Sequence, residues 1–348
     1  MSRRRERRWP ILALSILGLT WATPAHAQDE PFTLVALPDT QHYTCTDGSN
    51  CVADEQIFEL QTEWIAANRD RLDIRFVAGL GDCVQDGDDT AHFEIADEAL
   101  RTLEAATSSE HPDGIPYGLP VGNRDQFPSS SPGSIPSVDD VLHPSQGSTT
   151  EDWNSWFGVD RYCPEGVCRS YYGDHFGLNN DNHYDLFEAN GYRFVVVHVE
   201  FMETDSDLRR AVIAWADDVL EAHADRRAIV VSHYVMKTGT QGPFSDQGSA
   251  LYQGLKEHPN LFLILGGHIT GEGRRADVFE GRTVHTVLSD YQGREDGGQG
   301  WLRLLEFRPA EDLVSIETWS PWLDEFETDS SSQFTLPYEK VLRELVFA

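Results

Sequence analysis

Phe76-Val77-Ala78-Gly79-Leu80-Gly81-Asp82 is the stretch from which the fold can be read. It is a short apolar run, with small residues near its end, that stops at a carboxylate. A run of this length closed by Gly-Asp reads as a buried strand followed by a tight turn. The turn holds Asp82 at the carboxyl end of the strand, the rim at which open α/β sheets bind their ligands. Other strand-like runs end in the same manner. Phe32 to Leu37 leads into Asp39-Thr40-Gln41-His42, and Ile115 to Val121 into Gly122-Asn123-Arg124-Asp125. Ala228 to Ser232 stops at His233, and Leu261 to Leu265 at Gly266-Gly267-His268-Ile269-Thr270-Gly271. Singly, each polar residue is an ordinary turn or cap. Carboxylate, amide oxygen and imidazole gathered on one rim are the mixed ligand set of Mn²⁺, Fe or Zn²⁺.

Between these runs the apolar residues recur at helical spacing. Ile57, Leu60, Trp64, Ile65 and Ala67 predict a helix over Asp54 to Asp70 with Asp54 as its cap. Phe93, Ala96, Ala99, Leu100 and Leu103 predict a second over Thr90 to Ala106. Strand, helix, strand, helix, strand argues for a parallel βαβ core. Gln126 to Thr150, rich in Ser, Pro and Gly, reads as a long surface loop. Trp153, Trp156, Phe157, Tyr171 and Tyr172 continue it as an excursion that forms either a small satellite core or a ligand platform. Asn190-Gly191 between two apolar runs is a hairpin signal. Asp207 to His223 and Ser245 to His258 read as helices. Thr283 to Leu288, Trp301 to Phe307 and Leu313 to Trp319 read as three further strands, antiparallel by their short links. About ten strands with helices outside them predict an α/β (α+β) domain in which two sheets pack face to face.

The chain has 348 residues. It begins with Arg3, Arg4, Arg5, Arg7 and Arg8, an apolar stretch from Ile11 to Trp21, and Ala25-His26-Ala27, the three parts of an export signal cut after Ala27. The alternative is an uncleaved anchor, but the apolar stretch falls short of the about 20 residues a membrane-spanning helix needs. The expected location is therefore periplasmic or extracellular, with no membrane span once the signal is removed. Net charge is −31. A surface this acidic disfavours nucleic acid and anionic membranes as partners and suits cation binding or a salty medium. In an exported chain, Cys45 with Cys51 and Cys163 with Cys168 read as two small disulfide loops, leaving Cys83 buried and unpaired.

Asp39-Thr40-Gln41, Gly81-Asp82, Gly122-Asn123-Arg124-Asp125, Ser232-His233 and Gly267-His268-Ile269-Thr270 together resemble, in order and spacing, the calcineurin-like metallophosphoesterases, whose pattern is D-x-H, G-D, G-N-H-[DE], H and G-H-x-H. The residues around Asp39 and the run Gly271-Glu272-Gly273-Arg274-Arg275 are similar to an exported bacterial subgroup with D-x-Q in place of D-x-H. The resemblance implies a β-sandwich flanked by helices over residues 28–322. With 1–27 read as the signal peptide, 126–175 is a long insertion and 323–348 a C-terminal extension.

The resemblance also implies a site. Asp82 would bridge two divalent ions, with Asn123, His233 and His268 completing one ligand set. Asp39 would begin the other, where Gln41 and Thr270 stand in place of two imidazoles, so one ion or two are held, Mn, Fe or Zn, with Mg or Ca as harder alternatives. Arg124 stands where the family has a histidine that assists the leaving group. It can clamp phosphate oxygens but cannot release a proton near neutral pH. His42, His143 or His175 would then have to supply the acid. The implied activity is hydrolysis of a phosphate mono- or diester by a metal-activated water. The alternative is a catalytically degenerate member that binds metal or phosphate. The sequence leaves the oligomeric state open.

Overall fold

Phe32–Leu37 (β1) and Ile74–Gly79 (β2) are buried along nearly every residue, as strands covered on both faces must be. They pair in parallel, Leu34 opposite Phe76 and Leu37 opposite Gly79. A computed structural model of the chain describes residues 29–45, 54, 56–127, 149–202 and 206–338. The connection from β1 to β2 runs through Gln41–Thr44 (α1) and Gln56–Asn68 (α2), the latter started by the Asp54 carboxylate, which accepts from the Gln56 amide at 3.0 Å. Thr90–Ala105 (α3) is capped in the same way by Asp89 and buries Phe93, Ala96, Ala99, Leu100 and Leu103. The strand expected over Ile115 to Val121 pairs only at Tyr117–Gly118 (β3). Pro116 and Pro120 flank it, and proline has no N–H to continue the ladder.

The excursion carries Glu151–Phe157 (α4), Val159–Tyr162 (α5) and Tyr172–His175 (β4). Its aromatics do not form a satellite core. Trp153, Phe157, Tyr162, Tyr171 and Tyr172 share one buried cluster with Phe93 and Tyr117, and Trp156 stacks on Phe93. Cys163 and Cys168 are joined in a disulfide, Cys83 is buried and free, and Cys51 lies outside the described residues. His183–Ala189 (β5) and Tyr192–Val199 (β6) meet at Asn190-Gly191, whose φ values of 50° and 84° are those a type I′ hairpin needs. Asp207–Ala222 (α6) leads to Arg227–Ser232 (β7), and Gly239–Thr240 (β8) and Asp246–Leu255 (α7) precede Leu261–Gly266 (β9).

The last third departs from the sequence expectation. Gly271–Phe279 (β10) is a strand that hydrophobic spacing does not reveal, because Glu272, Arg274, Arg275 and Asp277 crowd it with charge. It pairs with Arg282–Asp290 (β11) across Glu280-Gly281, both with positive φ. β11 runs parallel to β9, whereas Leu302–Arg308 (β12) crosses to the other sheet and pairs antiparallel with β1 and with Leu313–Ser320 (β13). The three late strands therefore do not form one antiparallel meander; a short link does not fix which sheet receives the next strand. Beyond residue 322, Glu325–Glu327 (β14) and Phe334–Pro337 (β15) pair with β13, and Leu336 and Tyr338 enter the core.

One sheet thus runs β14-β13-β12-β1-β2-β3 with β15 beside β13, and the other β4-β5-β6-β7-β9-β11-β10-β8. Leu34, Phe76, Phe187, Phe194, Val231, Leu265 and Phe307 fill the space between them. α2 and α3 cover the outside of the first sheet, α6 and α7 the outside of the second. No helix among the described residues is long and apolar enough to cross a membrane.

Arg161 ties the excursion to this frame. Its guanidinium lies 2.5 Å from Asp97, 2.9 Å from Glu104 and 2.6 Å from the Tyr117 hydroxyl, with only 8% of the side chain exposed. Removing it takes the more buried cationic partner from both carboxylates, although Asp97 keeps Arg101 and Glu104 keeps Arg169, so Arg161→Leu is expected to lower unfolding free energy by about 2 kcal/mol. Arg101, on the exposed side of the same Asp97, is expected to cost under about 1 kcal/mol when changed to Ala. Urea denaturation of both variants checks this, and equal losses would contradict it.

Candidate metal centre

The turn after β2 places Asp82 at φ 50°, in the left-handed region where a residue other than Gly is strained. Asp82 is held there from two sides. Its Oδ1 accepts from the Arg124 amide at 2.8 Å, and its Oδ2 lies 3.2 Å from His233 Nε2. His268, at the end of β9, also has a positive φ of 71°, and its amide donates to Asp39 Oδ2 at 3.1 Å. Two glycines make the approach possible. A Cβ on Gly122 would lie 2.1 Å from the Asp82 nitrogen, and one on Gly267 would lie 2.1 Å from Asp39 Oδ1. Asp125 locks the loops together, since its fully buried carboxylate accepts from the Val84 amide at 2.9 Å and the Gly122 amide at 2.7 Å.

His233 is the hub. Its ring is fully buried, and Nδ1 lies 2.9 Å from the Leu80 carbonyl, so Nδ1 carries the proton and donates. Nε2 is then turned toward Asp82 Oδ2, Asn123 Oδ1 at 3.1 Å and His268 Nδ1 at 3.1 Å. Burial by itself would depress this imidazole. The Asp82 and Asp39 carboxylates outweigh burial and hold it at about 10. Burial and the charges of His233 and Arg124 push His268 down to about 4 against the pull of Asp82. Asp39 is raised well above the usual carboxylate range, first by burial and then by Asp290. A cation among these carboxylates is strongly favoured, and a proton on His233 and a divalent ion compete for that place.

Asp82, Asn123, His233 and His268 are brought together. Asp39 adjoins them through the His268 amide, with its Oδ1 unpartnered among the described residues. The other half of the expected site differs. Gln41 donates to Gln292 Oε1, and Gln292 in turn offers its amide to Asp290 Oδ2 at 2.9 Å and Asp39 Oδ2 at 3.3 Å. Thr270 is exposed, with its methyl lying over Gly293. His42 sits half-buried on α1. His175 contacts Tyr172 on β4, and His143 lies outside the described residues. The Arg124 guanidinium is half-buried and pairs with no carboxylate among the described residues.

Four residues of this region are not among those picked out from the sequence. Asp290 closes β11 and Gln292 lies two residues beyond it, so the same strand-end rule would have reached them had the strand read from the sequence, Thr283 to Leu288, been extended two residues. Phe201 and Tyr234 form a wall, their rings 5.5 and 4.7 Å from that of His268. No pattern of spacing marks them.

The donors fit a divalent ion. One carboxylate oxygen, one amide oxygen and two imidazole nitrogens, His233 Nε2 being one of the two, converge here, and the Asp82, His233 and His268 donor atoms lie within 4.8 Å of one another.

No protein-family model matches the chain. It is 32% identical over 310 residues to the uncharacterized protein YvnB of Bacillus subtilis (strain 168), covering 86% of this chain and 21% of that protein. The chain thus spans about a fifth of the length of this relative. Among solved structures, it is similar to purple acid phosphatase PPD1 from yellow lupin (Lupinus luteus) seeds, with a TM-score of 0.54 and 13% identity, covering 90% of this chain and 55% of that one. It is also similar to a dimetal phosphatase from Danio rerio, with a TM-score of 0.51 and 14% identity, covering 88% of this chain and 99% of that one. The fold is the two-sheet α/β sandwich, flanked by helices, of the calcineurin-like phosphoesterases.

Because Gly122 has no room for a methyl group, Gly122→Ala is expected to push Asp82 aside and weaken Mn²⁺ binding by at least about tenfold while far-UV circular dichroism stays unchanged. Isothermal titration checks it, and an unaltered affinity would place the ion elsewhere.

Proposed function

We propose that the protein is an exported metal-dependent phosphoesterase whose substrate is a phosphate ester. The observation that carries this reading is the gathering of Asp82, Asn123 and His268 about His233 Nε2. The likeness of fold to two phosphatases agrees with it. Asp82, Asn123, His233 and His268 would hold one divalent ion, with Asp39 beside them. Such an ion, when bound, acidifies water and polarises a phosphoryl oxygen.

The chain's own residues supply the rest. The Arg124 guanidinium, which pairs with no carboxylate among the described residues, would clamp the non-bridging oxygens of the ester through its planar fork. Phe201 and Tyr234 close one side against water and offer an apolar face to the alcohol part of the substrate. Arg124 cannot donate a proton to the leaving group, and His175 contacts the Tyr172 hydroxyl on β4. The expected substrates are therefore esters whose leaving groups depart without an acid, such as aryl phosphates and activated diesters. Export accords with the Cys163–Cys168 disulfide.

A second reading is a metal- or phosphate-binding module without turnover. Its support is the Gln41–Gln292 pair and the exposed Thr270, which leave the Asp39 side with amides in place of imidazoles. Hydrolysis of bis(4-nitrophenyl) phosphate with added Mn²⁺ separates the two. The enzyme reading predicts turnover that EDTA abolishes and that Asp82→Asn lowers by at least about 10²-fold. Metal bound without turnover would favour the module, and turnover unaffected by Asp82→Asn would contradict both.

A further inference from the structure

A second group of metal-binding side chains lies inside the sandwich. His183 and Asp185 stand two residues apart on β5 and so share a face. His198 on β6 is the direct cross-strand partner of His183. All three are completely buried. They face the other sheet: Phe76 of β2 stacks on the His198 ring at 6.0 Å, and Gly118 of β3 lies against the group. A Cβ on Gly118 would come within 2.2 Å of His198 Nε2 and 2.4 Å of Asp185 Oδ2, so only Gly leaves room there. The Tyr162 and Tyr172 rings enclose His183 from the side.

The donor atoms converge without satisfying one another. His183 Nδ1 lies 3.1 Å from the Asn180 carbonyl, which makes it the protonated nitrogen and leaves Nε2 bare. Asp185 Oδ2 lies 3.1 Å from His198 Nε2 and 3.7 Å from His183 Nε2. Neither approach has the geometry of a hydrogen bond: both Nε2 atoms and both Asp185 oxygens are unpartnered among the described residues. The two imidazole rings stack face to face, 13° from parallel, which brings their edges to the same carboxylate. Hydrogen-bonded partners point at each other, whereas ligands of one cation stand about 3 Å apart and point at a third place between them. A buried carboxylate with two empty oxygens must be neutralised by a counter-charge or a proton.

We propose that His183, Asp185 and His198 form a second metal site, independent of the rim centre, that takes one zinc ion with a structural role. Two imidazoles and one carboxylate are a common three-residue zinc set, leaving the fourth tetrahedral position to a water. Complete burial puts the ion out of reach of substrate. It links β5 to β6 directly beneath Gly118 of β3 and is acquired as the chain folds.

The test uses the full chain with the rim centre disabled by Asp82→Asn and His268→Ala, a pair that leaves the inner residues untouched. After expression with zinc and dialysis against EDTA, mass spectrometry is expected to find about one zinc per chain. Adding His198→Phe is expected to lower that to under about a tenth. No zinc in the folded double variant, or full zinc after His198→Phe, would overturn the proposal. If His198→Phe fails to fold, zinc X-ray absorption of the double variant decides. A nitrogen and oxygen shell with two imidazoles supports the site, and a sulfur shell from Cys83 or fewer than two imidazoles overturns it.

Discussion

The hydrogen bond from His233 Nδ1 to the Leu80 carbonyl joins the two sheets at their shared rim, and the arrangement of the candidate centre depends on it. It links the end of β7 in one sheet to the end of β2 in the other. It also fixes the tautomer, so that Nε2 is the nitrogen presented to Asp82 and Asn123. Both partners are buried, so the bond works in a medium of low dielectric and losing it would leave two orphaned polar groups. The strained backbone at Asp82 and His268 persists because each is over-determined by bonds of this kind.

Electrostatics explain why a cation belongs there. Asp39, Asp82 and Asp290 are nearly or wholly buried within one network, and each raises the cost of ionising another. On one side imidazoles and a neighbouring amide oxygen offer the ion a ligand set. On the other, the Gln292 amide already donates to Asp39 and Asp290, which lowers their need for a second ion. The asymmetry is thus a matter of charge as well as of missing histidines. It accounts for why Gln41 meets Gln292 when the resemblance alone would have made it a metal ligand.

The parts of the fold visible in the sequence are those set by local rules. β1, β2, β7 and β9 are unbroken apolar runs, α3 has a clean helical face, and Asn190-Gly191 admits few conformations other than the turn it makes. Strand ends on one rim were enough to place Asp82, Asn123, His233 and His268 in one group. The rest depends on tertiary context. β10 is stabilised by its partner β11 and by Arg303, which pairs with Glu272, so its charged residues hide it from any hydrophobic count. The crossing of β12 to the first sheet has no local signal. His183 and His198 lie fifteen positions apart by their numbers and meet only through hairpin register.

Crystals grown with Mn²⁺ and measured at a wavelength where manganese scatters anomalously show whether the rim holds an ion at His233. An anomalous peak is expected at coordination distance from Asp82 Oδ2, Asn123 Oδ1 and His233 Nε2, with His233 Nδ1 still donating to Leu80. A rim without such a peak at saturating Mn²⁺, or a peak that His233 does not reach, would contradict a metal centre built on His233.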